Sequence, residues 1–230
     1  MHKMVTALAG MLVCAGVAFA DDGYKTRSDG YFDSDGYWRQ MSRQHGLSAY
    51  FGGHGGVSIA NTEVSLFGFG SLDGIGSHGA IGGLHTGLDY ILIEKVFFGA
   101  YGLYDWQSTK SSLSGPTITV ASANLSDSYG FGGRLGYDWG RAKAYGLVGW
   151  RHTDLEWSSS FGPVTGIPTS LTGVDFGAGI AILLPPCLEL GIEGVWTKYN
   201  SKTFDTFLGT FTIDPQQLAV MGRLSIRFDH

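Results

Sequence analysis

Beyond residue 46 large and small side chains alternate along the chain. In SYGFGGRLGYDW, from Ser128, the residues Tyr129, Phe131, Leu135, Tyr137 and Trp139 share one parity, while Gly130, Gly132, Arg134, Gly136 and Asp138 share the other. Successive side chains of a β-strand point to opposite faces, so this spacing predicts a strand with one aromatic face and one face of glycine and charge. LTGVDFGAGIAIL, from Leu171, repeats the rule, setting Val174, Phe176, Ile180 and Ile182 against Asp175, Gly177 and Gly179. QLAVMGRLSIRF, from Gln217, sets Leu218, Val220, Leu224, Ile226 and Phe228 against Met221, Arg223, Ser225 and Arg227. Five further segments begin at Leu47, His78, Val96, Lys143 and Leu188. In the first and fifth of the eight, Tyr50, Tyr145 and Leu147 fit either face.

The links between segments alternate in length. Short ones fall at Glu94-Lys95, Gly140-Arg141 and Pro185-Pro186, and long ones rich in Ser, Thr, Gly and Asn fall near 60–76, 108–124, 156–170 and 200–214. Each segment is about the 9 to 11 residues, or slightly more, that a tilted strand needs to cross a bilayer. Eight such strands with alternately short and long links predict an all-β fold, an eight-stranded antiparallel transmembrane barrel of up-and-down meander topology. The competing fold is a soluble β-sandwich, which also alternates. A sandwich puts its bulk inside and its charges in water, whereas here glycine and charge share the face opposite the bulk. Trp106, Trp139, Trp150 and Trp196 sit toward the ends of the bulky faces, as an aromatic girdle at the membrane interfaces requires.

The first twenty residues read differently. His2 and Lys3 precede an uncharged run from Met4 to Val17 and the small-residue site Ala18-Phe19-Ala20, the pattern of a signal peptide cleaved after Ala20. Cleavage leaves 14 basic and 20 acidic side chains, a net charge of -6, and Cys187 as the remaining cysteine. A nucleic-acid partner is excluded by that charge, and an intramolecular disulfide by the single thiol. Residues 21–45 repeat the triplet DGY at Asp22, Asp29 and Asp35 and are too polar for a membrane strand, so they are expected to form a periplasmic tail ahead of a barrel over 46–230.

An eight-stranded barrel has an interior just wide enough for side chains to fill it. The inward set expected from parity is Asp89, Asp105, Arg134, Asp138, Asp175, Glu189, Glu193, Arg223 and Arg227, with Arg151 less certain. Mixed signs point to an ion-paired core, because an unpaired buried charge is costly. In LELGIEGVW the acids Glu189 and Glu193 are expected to turn inward to Arg134, Arg223 or Arg227, with Leu190, Ile192 and Trp196 facing lipid. Inward glycines, among them Gly132 and Gly177, are expected where strands approach closely or a large neighbour must fit. His54, His78, His85 and His152 are the available bases, but His152 and Asp154 share one face with Thr153 on the other, and no serine stands beside them. No catalytic residue, cofactor site or metal-ligand set is assigned.

The stretches GFGGRLGYDW and VFFGAYGLYDWQ and the terminal GRLSIRF resemble the small eight-stranded outer-membrane barrel families, including the membrane domain of OmpA and the opacity-type surface proteins of Gram-negative bacteria. The resemblance covers roughly residues 46 to 228 and is one of pattern. It implies export to the outer membrane and contact with its lipid and lipopolysaccharide. It further implies assembly by the barrel-assembly machinery, with Phe228 as the terminal aromatic signal, here followed by Asp229 and His230. The implied function is a structural or surface-exposed role with a plugged or very narrow lumen, external loops being where host or envelope ligands would bind. The alternatives are a small-solute porin and, further off, a lipid A-modifying barrel enzyme.

Overall fold

A strand whose two edges both find partners leaves no backbone group unpaired, and a sheet achieves this for every strand only by closing on itself. The computed structural model describes residues 30–32, 38–40, 46–66, 70–93, 95–114, 119–159, 170–184, 187–206 and 209–229. The expected signal peptide and most of the expected tail lie outside these residues. Within the tail, β1 (Gly30–Phe32) and β2 (Trp38–Gln40) pair antiparallel as a separate two-stranded sheet.

The remaining strands are β3 (Gly46–Leu66), β4 (Gly70–Ile93), β5 (Val96–Ser114), β6 (Thr119–Asp138), β7 (Ala142–Ser159), β8 (Ser170–Leu184), β9 (Leu188–Tyr199), β10 (Lys202–Thr206) and β11 (Gly209–Asp229). From β3 to β9 each pairs antiparallel with the next. β11 then closes the ring, matching β3 from Phe211↔Leu66 to Asp229↔Ser48 and β9 from Gln216↔Lys198 to Ile226↔Leu188. β10 takes up the same edge of β11 beyond β9, from Lys202↔Ile213, after a break at Asn200-Ser201. The wall is thus an eight-stranded antiparallel meander barrel.

On β6, β8, β9 and β11 most of the bulky residues point outward. Phe131, Leu135, Ile180 and Ile192 are 60 to 63% exposed, and a belt of such residues surrounds the barrel. Apolar surface on that scale is far beyond what a water-soluble monomer carries and matches a hydrocarbon surround.

The long links depart from expectation. Ladder pairing continues from β3 into β4 as far as Leu66↔Gly70, from β5 into β6 as far as Ser114↔Thr119, and from β6 into β7 as far as Ala121↔Ser159. Most of the stretches near 60–76 and 108–124 are therefore strand, not loop. Beyond the bilayer a strand needs no apolar face, and sequence such as TVASA, from Thr119, with a partner on either side, suffices to extend the wall. The ladders carry local irregularities there, between Trp106 and Thr109 and between Leu125 and Ser128.

Tyr50, Tyr145 and Leu147, which parity left open, all point into the lumen and are 2 to 7% exposed. Inward glycines make room for them. A Cβ placed on Gly179 would lie 2.6 Å from Tyr145 Cζ, and one on Gly87 would run into the Tyr50 ring. Gly179→Val should displace the Tyr145 ring and cost about 1 to 3 kcal/mol of stability by overpacking. Denaturant unfolding in detergent checks this, with Tyr145→Ala in the same chain expected to recover most of the loss.

At the short-turn end, Gly140 has φ of 92°, a left-handed conformation that suits glycine, and its N–H donates to Asp138 Oδ1 at 2.6 Å. The same turn is tied to the neighbouring one by Asp138 N–H to the Lys95 carbonyl at 2.7 Å.

Candidate functional site

Among the described residues, charged and polar side chains are concentrated in the interior. Among the described residues the buried charged side chains are Arg134, Lys143, Arg151, Arg223 and Arg227 against Asp89, Asp105, Asp175, Glu189 and Glu193, five of each sign. Long apolar-stemmed cations reach across the lumen to short acids on other strands. Charge pairing without water is favourable only when geometry is good and the remaining valences are filled.

Nearest the short turns, Arg134 Nε donates to Asp89 Oδ1 at 2.7 Å, with its guanidinium 4.0 Å from the Tyr50 ring centre and 4.9 Å from that of Tyr145. Arg134 is thus sandwiched between aromatic faces, an arrangement that suits a weakly hydrated planar cation. Lys143 bridges Glu189 at 2.7 Å and Asp89 at 3.4 Å. Arg227 binds Asp229 at 2.7 Å and the Ser48 hydroxyl at 3.0 Å, and lies 3.4 Å from Asp138 and 3.9 Å from Glu189. Asp138 sits at the mouth, where it shares its carboxylate between Arg227 and the turn.

Farther in, Arg223 pairs with Glu193, whose Oε2 also accepts the Tyr145 hydroxyl at 2.8 Å. Farther still, Arg151 joins two acids, Asp105 and Asp175, the latter through Nε at 2.9 Å. Thr197 donates to Asp175 at 2.7 Å and Ser128 to Asp105 at 3.3 Å. Beyond that level the polar groups are neutral: Gln107 bonds Ser128 at 2.9 Å, Gln217 bonds Gln107 at 2.7 Å, and Tyr199 bonds Gln217 at 2.8 Å and Thr153 at 2.9 Å.

Two histidines join this network. His54 Nε2 lies 2.6 Å from Asp105 Oδ1, the two Nδ1 atoms of His54 and His85 face each other at 3.2 Å, and His85 Nε2 lies 2.8 Å from the Ser225 hydroxyl. Four strands, β3, β4, β5 and β11, supply this chain. His152 instead points outward, 3.4 Å from Asp154 and stacked between Tyr129 and Trp150 with ring centres 4.9 and 6.0 Å away. Thr153, between His152 and Asp154 in sequence, is inside with Tyr199. Among the described residues no group of three or more His, Cys, Asp or Glu is arranged to hold a metal ion.

The nine charges expected inside from parity are all on the inner face, with Asp138 at its margin. The partners differ from expectation in two respects: Arg134 pairs with Asp89, and Glu189 takes Lys143 as its nearest cation; Glu193 takes Arg223, one of the three arginines expected. Lys143 is the charge that sequence reading passed over, although it has the parity of Arg151 on the same strand. The four tryptophans expected in the girdle are on the outer wall, Trp106, Trp139 and Trp196 being exposed and Trp150 half-buried against Phe131 at 5.5 Å between ring centres. Phe228 is outward and exposed.

Glu193→Gln should leave Arg223 buried without a counter-charge and lower stability by about 3 kcal/mol. Unfolding of the folded protein in detergent by guanidinium checks it. Glu193→Gln combined with Arg223→Met should be milder than Glu193→Gln alone.

These features define the class: an integral membrane β-barrel with an apolar outer wall and an ion-paired interior. No protein-family model matches the chain, and no curated protein does. Among solved structures the chain is similar to Ail, the attachment invasion locus protein of Yersinia pestis, with 15% identity, 80% of this chain and 99% of that one covered, and a TM-score of 0.43. It is similar to the outer membrane protein OprG from Pseudomonas aeruginosa at 12% identity, covering 78% and 95% with a TM-score of 0.46. For the outer membrane protein AlkL in lipid bilayers the values are 14%, 90%, 96% and 0.44. The architecture rests on the strand pairing of this chain itself.

Proposed function

We propose that this chain is an outer-membrane protein of a Gram-negative envelope whose barrel is a plugged anchor, with a structural or surface-exposed role carried by the ends of its long hairpins. The short turns then face the periplasm and the extended hairpins face outward. The observation that supports this reading is the filled lumen: five cations and five anions, all at least nine-tenths buried, are interleaved with Tyr50, Phe97, Tyr101 and Tyr145. Moving an ion through it would require several buried pairs to separate at once, each separation costing several kcal/mol. The wall also continues as paired strand well past the roughly 10 residues a bilayer needs, which holds the hairpin tips away from the membrane.

Planar-bilayer recording on the purified protein tests the plug. The expected trace is a closed baseline, with no stable open level. A sustained open conductance in the wild-type chain overturns the plugged reading and returns the small-solute porin.

A further inference from the structure

The outer wall near the short turns carries an apolar hollow. Its floor is made by Ala144 and Gly146 on β7, Ala178 on β8 and Gly194 on β9. The strand register places Gly146 opposite Ala178 and Ala178 opposite Gly194, so the low positions line up across three strands. Leu135, Ile180 and Ile192, at 60, 63 and 60% exposed, stand up around that floor as walls. The hollow begins at Val96 and Tyr137, which pair with each other at the ends of their strands.

Two cations flank this end. Lys95 directly precedes Val96, and Arg141 follows the Trp139-Gly140 turn that hydrogen-bonds to the Lys95 carbonyl through Asp138. Both side chains are exposed, and neither has an ion pair among the described residues. Asp138, the acid of the described turn, is committed to the Gly140 N–H and to Arg227. Trp139, 57% exposed and 5.0 Å from Tyr137 between ring centres, marks the same level as the headgroup region.

We propose that the hollow holds an acyl chain of an anionic phospholipid whose phosphate lies between Lys95 and Arg141. Within the hydrocarbon the hollow is apolar, which suits a lipid tail, and the two cations beside its mouth, without an ion pair among the described residues, suit a net negative headgroup. Because these residues lie within a few positions of the short turns, the lipid belongs to the leaflet those turns face, the periplasmic one. The inference rests on the outer-membrane reading above for the leaflet, and on the barrel alone for the groove.

Native mass spectrometry of the full chain in detergent, titrated with phosphatidylglycerol and phosphatidylcholine of equal tail length, tests it. One bound phosphatidylglycerol is expected, preferred over phosphatidylcholine about thirtyfold, given about 1 kcal/mol for each of the two cations at a membrane surface. Lys95→Gln with Arg141→Gln should abolish the preference while leaving some binding of both lipids. Ala178→Leu, which raises the floor, should weaken both lipids, with folding checked by resistance to unfolding in cold SDS. Equal binding of the two lipids by the wild type, a preference that survives the double substitution, or undiminished binding by Ala178→Leu overturns the site. Flotation with vesicles separates the two readings: protein that floats yet shows no preference loses only the lipid site, whereas protein that stays in buffer loses the membrane barrel itself.

Discussion

Arg151→Met should be the most damaging single substitution in this barrel. The side chain is 1% exposed, and it holds both Asp105 and Asp175, which are 0 and 1% exposed. Removing it leaves two carboxylates with the Ser128, Thr197 and His54 hydrogen bonds but without the charge that balances them. Loss of one partner of a buried pair costs about 3 to 5 kcal/mol, and here one cation serves two acids. The folded yield on refolding into detergent should fall sharply, and the guanidinium midpoint of what folds should drop. Asp105→Asn with Asp175→Asn in the Arg151→Met chain should recover much of the loss, since the same volume is then filled without charge. If Arg151→Met unfolds at the wild-type midpoint, the ion-paired interior is not what holds the strands together.

The second large effect is expected on the other face. Ile180 is 63% exposed on the outer side of β8, about midway between the short-turn end at Leu184 and Val174, which lies opposite Trp150. Ile180→Lys places an ammonium in hydrocarbon and should cost about 2 to 4 kcal/mol when the protein is refolded into lipid vesicles. Thr172→Lys, on the outward parity of β8 but close to its far end, should cost about 0 to 1 kcal/mol. In a soluble barrel both changes would be harmless, as surface lysines are. A flat response with depth would therefore remove the wall from the membrane, whatever happens inside.

How far the sequence foretold this architecture depends on the strand. Over Tyr129–Asp138 of β6, Val174–Ile182 of β8 and Leu218–Phe228 of β11 the outward bulky residues and the charges keep opposite parity, with Met221 alone joining the charges, so face, strand and fold class could all be read directly. On β3 and β7 the inner face also carries aromatics, Tyr50 and Tyr145, and parity alone could not distinguish a lipid-facing ring from one lying in a glycine notch. The notch is formed by residues on neighbouring strands, Gly87 and Gly179, so its existence depends on register. Lys143 was missed for the same reason: its face follows from Tyr145 and Arg151, and that of Tyr145 was open. Pairing across the lumen is less legible still. Arg134 and Asp89 lie on β6 and β4 with β5 between them, and only the curvature of the closed sheet brings them together. LELGIEGVW illustrates both limits: its acids could be turned inward from the alternation, but that Glu189 would take Lys143 could not.

The closing seam gives this fold its all-or-none character. The Ser48 hydroxyl donates to Asp229 at 2.7 Å and accepts from Arg227 at 3.0 Å, stitching the lower end of the first wall strand to that of the last across 181 residues of sequence. Until β11 arrives, the open edges of β3 and β9 have no partner, and in hydrocarbon there is no water to replace one. Arg223 and Arg227 arrive on that same strand, so Glu193 would until then be buried without its cation. A chain one strand short is therefore not a slightly smaller barrel. It is an open sheet with a charged inner face, and the commitment of the whole wall to lipid waits on its final segment.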